Sequence, residues 1–132
     1  MPRYLHKKRS LITSFKHAIS GLAYILYSQR NIQIHVGMAI ASILLGIVLG
    51  IPSSDWCILL LSISLVLITE GLNTSLEVSV DLTTRKRKYR AMLSKDVAAG
   101  CVLIAAINAL IMGYLIFFDR LVTLFLGGLP LF

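Results

Sequence analysis

Apolar residues in this chain follow two patterns. Between Leu11 and Ser28 they recur every three or four positions, at Leu11, Phe15, Ala18, Ile19, Leu22 and Leu26, with Lys16, His17 and Ser20 off that stripe. This period predicts an amphipathic helix over 11–28, lying along a membrane interface with its polar edge in water. After the polar break Gln29-Arg30-Asn31 the apolar residues form three long blocks. A hydrocarbon core ~30 Å thick takes about 20 helical residues, so the blocks predict membrane helices over 32–51, 56–83 and 96–118. Pro52-Ser53-Ser54-Asp55 reads as the turn between the first two, with Trp56 as an interfacial aromatic. Ser94 reads as the N-cap of the last helix, with Asp96 in its first turn. The expected fold is an all-α membrane protein of one domain, residues 1–132. The apolar tail 121–132 is too short to cross a bilayer and is expected at the interface.

Composition agrees with this pattern. The 132 residues are 57% hydrophobic and 14% charged, with a mean hydropathy of +0.82. Such a balance excludes an ordinary soluble domain. The net charge is +7. Twelve of the thirteen Lys and Arg lie in 1–30 and 85–95, leaving Arg120 alone. In a soluble chain such clusters would suggest nucleic acid; flanking membrane spans, they set topology and meet anionic headgroups or a polyanionic ligand. No nucleic-acid partner is expected. The positive-inside rule places the N-terminus and the loop 84–95 in the cytoplasm, the turn 52–55 outside and the C-terminus outside. Cys57 and Cys101 sit in apolar runs without CxxC or His spacing, which supports neither a disulfide framework nor a zinc site.

The acidic residues are more informative. Of six in the chain, three fall within Glu70-Gly-Leu-Asn-Thr-Ser-Leu-Glu-Val-Ser-Val-Asp81. At 100° per residue Glu70, Asn73, Glu77 and Asp81 share one narrow helical face. Carboxylates in a membrane helix are costly and mark function by default. Depth separates them. Glu70 lies fourteen residues past Trp56, ~21 Å along the helix and still within the hydrocarbon. It suits a general base acting on a hydroxyl. Glu77 and Asp81 reach the headgroup region, where carboxylate oxygens can hold Mg²⁺ bridged to phosphates. Asn73 can ligate a metal or orient a phosphate between them. Lys95 and the basic loop supply positive charge beside that site, as a nucleoside triphosphate requires. A phosphate donor from water and an acceptor from lipid would meet at this depth, which describes a lipid kinase. The chain contains no Walker A, kinase Gly-rich loop or GxGxxG sequence.

The stripe Glu70…Asn73…Glu77…Asp81 joined to Lys95-Asp96-Val-Ala-Ala-Gly100 resembles the signature of the prokaryotic diacylglycerol kinase and undecaprenol kinase family. The resemblance covers nearly the whole chain, including the amphipathic helix and the Asn31…His35 approach to the first span. It implies a small homotrimer with shared active sites in the bacterial plasma membrane, using ATP and Mg²⁺ to phosphorylate a lipid alcohol. By resemblance Glu70 is the catalytic base, Asn73 and Glu77 contact nucleotide and metal, Asp81 contacts the nucleotide, Lys95 a phosphate, and Asp96 partners the same cluster. Gln29 stands where the family usually has a second metal-binding Glu; it can donate an oxygen to ATP or metal but no charge. The pattern Ser14-Phe15-Lys16…Gly21-Leu22…Arg30-Asn31…His35 resembles undecaprenol kinases more than diacylglycerol kinases.

Other readings exist for single residues. Asp96 could serve only the helix dipole, Lys95 only topology, His35 only a membrane boundary and Asn108 only helix packing. A non-enzymatic, ion-conducting oligomer lined by the stripe is the remaining alternative. It needs acidic groups throughout the membrane depth, and the outer half of the second span has none.

Overall fold

The computed structural model describes residues 10–83 and 88–126. The four helices are α1 (Leu11–Ser28), α2 (Arg30–Leu49), α3 (Ser53–Thr83) and α4 (Tyr89–Leu126). There is no strand among the described residues. The basic residues expected at Arg3, Lys7, Lys8, Arg9 and 85–87, and the tail beyond Leu126, lie outside them.

The α1–α2 break is a single residue. Gln29 leaves the helix at φ −113°, ψ 112°, yet its N–H still donates to Ile25 O at 3.1 Å and its carbonyl accepts from Gln33 N at 3.3 Å. Arg30 and Asn31, expected in the break, already belong to α2. Gln33 fixes the elbow further. Its Nε2 donates to Leu26 O at 3.0 Å and Tyr27 O at 3.5 Å, carbonyls that the end of α1 would otherwise leave without intrahelical partners.

α2 ends at Gly50, whose φ of +60° is left-handed. Ile51 N–H then bonds back to Gly46 O at 3.2 Å, the 6→1 bond that closes many helices. Pro52 stops any continuation. Its carbonyl accepts from Asp55 N at 3.0 Å and Trp56 N at 3.1 Å, so α3 starts at Ser53 rather than at Trp56. Asp55 is therefore inside the first turn, and its Oδ2 accepts from Arg120 Nη2 at 2.9 Å.

The largest departure is α4. The expected span 96–118 is the middle of a 38-residue helix, ~57 Å long and far beyond the hydrocarbon thickness. Ser94 caps nothing, and Asp96 lies seven residues past the start at Tyr89. At the other end Asp119-Arg120 does not stop the helix, because Arg120 is neutralised by Asp55. Thr123 Oγ1 donates to Asp119 O at 2.8 Å within the continuing helix.

Helices α3 and α4 pack antiparallel, with matching ion pairs at both ends. Lys95 Nζ lies 2.6 Å from Asp81 Oδ1 and Arg120 Nη2 lies 2.9 Å from Asp55 Oδ2. The two pairs are 26 residues apart on α3 (81 − 55) and 25 on α4 (120 − 95), so the register does not slip over ~38 Å. At the Pro52 end Ile51, Leu59, Ile116 and Phe117 form a buried cluster, with Leu45, Leu49 and Trp56 packed around it. Gly46 admits the indole: a Cβ there would sit 3.0 Å from Trp56 Cη2 and 3.1 Å from Ile51 Cδ1.

Three helices (α2, α3 and α4) are long and apolar enough to cross a membrane. Their outer surfaces carry Ile47, Val48, Leu61, Ile104, Leu110 and Leu115, all exposed. In water such a surface would be a large liability; in lipid it meets a solvent of its own kind. The protein is an integral membrane protein.

Candidate functional site

Helix α3 carries the acidic stripe along a gradient of burial. Glu70 and Asn73 are buried at 3% and 7% exposure. Glu77 is half-buried and Asp81 exposed. The apolar block thus continues directly into a polar face that climbs from the packed interior toward the basic end. Thr74, 3% exposed, also belongs to this face, one turn from Glu70, and was missed by a count restricted to carboxylates and amides. The helical period that groups the others would have found it.

The elbow covers the deep end of the stripe. Ile25, in the last turns of α1, lies against Gly71, where a Cβ would sit 3.8 Å from its Cδ1. That is an ordinary van der Waals distance, so α1 passes α3 here with room for a methyl group at 71. Among the described residues no ion pair or hydrogen bond is made by the Glu70 or Glu77 carboxylate. Asn73 Oδ1 is buried without a hydrogen-bond partner among the described residues, a costly state for a carbonyl oxygen and a common mark of a site awaiting a ligand.

At the shallow end the structure joins Asp81 and Lys95 across α3 and α4 at 2.6 Å. Their side chains are 66% and 33% exposed, so the pair adds little stability; its effect is to hold the ammonium beside the stripe. Asp96 follows Lys95 on α4, is exposed, and makes no hydrogen bond among the described residues. Its depth in the helix removes the first-turn dipole reading. Gln29 sits at the elbow, half-buried, and no hydrogen bond links it to Glu77. A groove of about 530 Å³ flanks the stripe between α3 and α4, with Asn73, Leu76, Arg90, Ser94, Val97 and Cys101 among its walls. Ser94 therefore faces a groove rather than capping a helix.

No three His, Cys, Asp or Glu converge as a metal cage among the described residues. A single carboxylate at Glu77, the free carbonyl oxygen of Asn73 and the amide of Gln29 are hard oxygen donors. They suit a small divalent ion that keeps phosphate oxygens and water in most of its coordination positions. The arrangement as a whole presents a buried carboxylate to the apolar phase and a cation-backed polar rim to water.

Residues 16–117, which contain every one of these positions, match the family described as prokaryotic diacylglycerol kinase. The chain is 39% identical to a diacylglycerol kinase of Synechocystis sp. over 116 residues, which is 87% of this chain and 66% of that protein. It is 37% identical to the undecaprenol kinase of Bacillus subtilis over 108 residues, 82% of this chain and 88% of that one. It thus spans about two thirds of the cyanobacterial relative and most of the other.

Proposed function

The chain belongs to the prokaryotic diacylglycerol kinase family, and from that premise we propose that it transfers the terminal phosphoryl group of ATP to the hydroxyl of undecaprenol. The observation that carries the reading is the burial gradient of the α3 stripe, from Glu70 at 3% exposure to the exposed Asp81 held by Lys95. A lipid hydroxyl is confined to the apolar phase and a nucleotide to water. One rigid helix face that passes between the two phases brings them together.

Glu70 accepts the proton of the attacking hydroxyl as its oxygen bonds to the γ-phosphorus. The bond from that phosphorus to the bridging oxygen breaks, and ADP departs. Asn73 orients the reacting phosphoryl group, and Glu77, with Asn73 Oδ1 and the Gln29 amide, holds the metal. Lys95 offsets the negative charge of the nucleotide, while Asp81 and Asp96 position it and the nucleotide at the rim. A magnesium ion held there would supply positive charge to offset the negative charge of the phosphates.

The basic residues support a cytoplasmic position for the Lys95 end and an outside position for the Pro52 turn in a bacterial membrane. Helix α1 leaves Leu11, Phe15 and Ile19 63–80% exposed, and three spans are too few to enclose the stripe. Both features support a homotrimer in which a neighbour completes each site.

The N-terminal pattern from Ser14 to His35 favours undecaprenol. The 39% identity to a protein named diacylglycerol kinase favours the second reading, diacylglycerol as acceptor. Offering the purified protein each lipid with labelled ATP decides between them: undecaprenyl phosphate is the expected product, phosphatidic acid alone would select the second reading, and failure with both would sink the kinase.

A further inference from the structure

The face of α3 that carries Glu70 extends beyond it toward the Pro52 end. Val66, Ser62 and Leu59 lie four, eight and eleven residues before Glu70 on that face, and all three are buried. They form the floor of a groove of about 330 Å³ between α2, α3 and α4, open at its side where Met38 and Leu110 are exposed. The facing walls include the small residues Ala39 and Ser42 from α2 and Ala109 and Gly113 from α4, beside the larger Met38 and Leu110. A Cβ added at Gly113 meets nothing within 4 Å, so the space beside α4 is open there.

The groove is closed at the Pro52 end, where Leu59 also belongs to the buried cluster of Ile51, Ile116 and Phe117. Its interior makes no polar demand from Ser62, whose hydroxyl already donates to Ile58 O at 2.9 Å. At the opposite end the wall includes His35, half-buried. Counting equal lengths from the Gly50–Ser53 turn sets His35 level with Ile68, within about a turn of Glu70. The result is an apolar groove, closed at the Pro52 end and reaching at the other to within about a turn of the buried carboxylate.

Resting on the lipid-kinase reading above, we infer that this groove holds the first two isoprene units of a polyprenol presented with its hydroxyl at Glu70. An apolar cavity of about 150 Å³ takes a six-carbon ring, so 330 Å³ takes about a dozen carbons. From Val66 to Leu59 it is seven residues deep, ~10 Å. Small residues on two walls give it width for the methyl branches of a prenyl chain. It has room for one chain: a glycerolipid must send its second chain out of the groove. The groove therefore selects the acceptor, and the acidic stripe performs the transfer.

The test uses the full chain in lipid nanodiscs with a polyprenol carrying a photoreactive diazirine on its second isoprene unit. Labelling is expected on the segments containing Ser42 and Ala109, and is expected to fall at least fivefold in Gly113→Leu, which fills the open space. Kinetics supply a second readout. Gly113→Leu and Ala109→Leu are expected to lower kcat/KM for polyprenol at least tenfold. In both variants the KM for ATP stays within twofold, and in Gly113→Leu the turnover of a five-carbon prenol, too short to reach that position, does so as well. Labelling confined to outward residues such as Ile104 or Leu115, or undiminished polyprenol turnover in both filled variants, overturns the inference. So does oxidative cross-linking of Ser42→Cys copies to each other, which would mean that a second protomer occupies the space. If the wild type phosphorylates no lipid alcohol, the kinase reading fails while labelling still decides whether the groove takes the chain.

Discussion

Replacing Lys95 with Met separates a structural ion pair from a catalytic cation. Lys95 lies 2.6 Å from Asp81 with side chains 33% and 66% exposed. A pair so open to water contributes roughly 0.2–1 kcal/mol to folding, because solvent screens it and both side chains lose freedom. Lys95→Met keeps the apolar stem, so the melting temperature in detergent is expected to fall by no more than a few degrees. Phosphate contact is a different matter. A hydrogen bond from an ammonium to a charged oxygen contributes about 1.5–3 kcal/mol, and one decade is 1.36 kcal/mol. Loss of the contact therefore lowers kcat/KM for ATP roughly 10- to 150-fold. Asp81→Asn releases Lys95 while leaving its charge, so its cost in kcat/KM is expected to be smaller. The double variant is expected to fall below Lys95→Met by less than the cost of Asp81→Asn alone, since Asp81 then has no ammonium to position and only its nucleotide contact is lost. The assay is steady-state transfer from labelled ATP to lipid, with ATP varied at saturating acceptor, beside a thermal melt of each variant. A Lys95→Met protein that melts well below wild type and keeps its kcat/KM would refute the reasoning, as it would show the pair to be a staple.

Three further outcomes follow from the geometry. Glu70→Gln is expected to lower kcat by roughly 10²- to 10⁴-fold, the range for loss of a general base, with ATP binding retained; ATP binding lost in parallel would mean that the carboxylate shapes the nucleotide site instead. Gln29→Glu adds a negative charge at the elbow and is expected to lower the half-saturating Mg²⁺ concentration, read from a metal titration of activity; an unchanged titration would remove Gln29 from the metal's surroundings. Gly46→Ala forces a methyl to 3.0 Å from the Trp56 ring and is expected to destabilise the Pro52 end by about 1–3 kcal/mol, with Trp56→Phe restoring part of the loss in a denaturation series. Additive losses in that pair would show that the indole is not what the methyl meets.

The three apolar blocks and the acidic stripe were legible because both depend on period and length alone. The ends of the helices were not, because tertiary partners decide them. Asp119-Arg120 looks like a stop until Asp55, 65 residues earlier in the chain, neutralises the arginine. Ser94-Lys95-Asp96 has the composition of a helix start, yet no glycine or proline lies between Lys88 and Ser94 to interrupt the turns that precede it. At the elbow the polar run Gln29-Arg30-Asn31 marks the break, but only the amide of Gln33, four residues on, explains why a single residue suffices. Thr74 went unseen because a hydroxyl in a membrane helix carries little signal beside three carboxylates. The groove beside Gly113 was beyond any reading of one strip of sequence, since its walls come from three helices. His35, expected as a boundary residue, proved to line that space.

The one-residue elbow makes α1 a lever with its fulcrum at the site. Eighteen residues of helix form an arm ~27 Å long, and a 10° rotation about Gln29 swings the Ser10 end by about 5 Å. The same rotation moves Ile25, one turn from the fulcrum, by about 1 Å, so its contact with Gly71 survives. A displacement at the Ser10 end is thus reduced about fivefold at Ile25. The buried carboxylate lies beside the point where a swing of the arm moves the chain least.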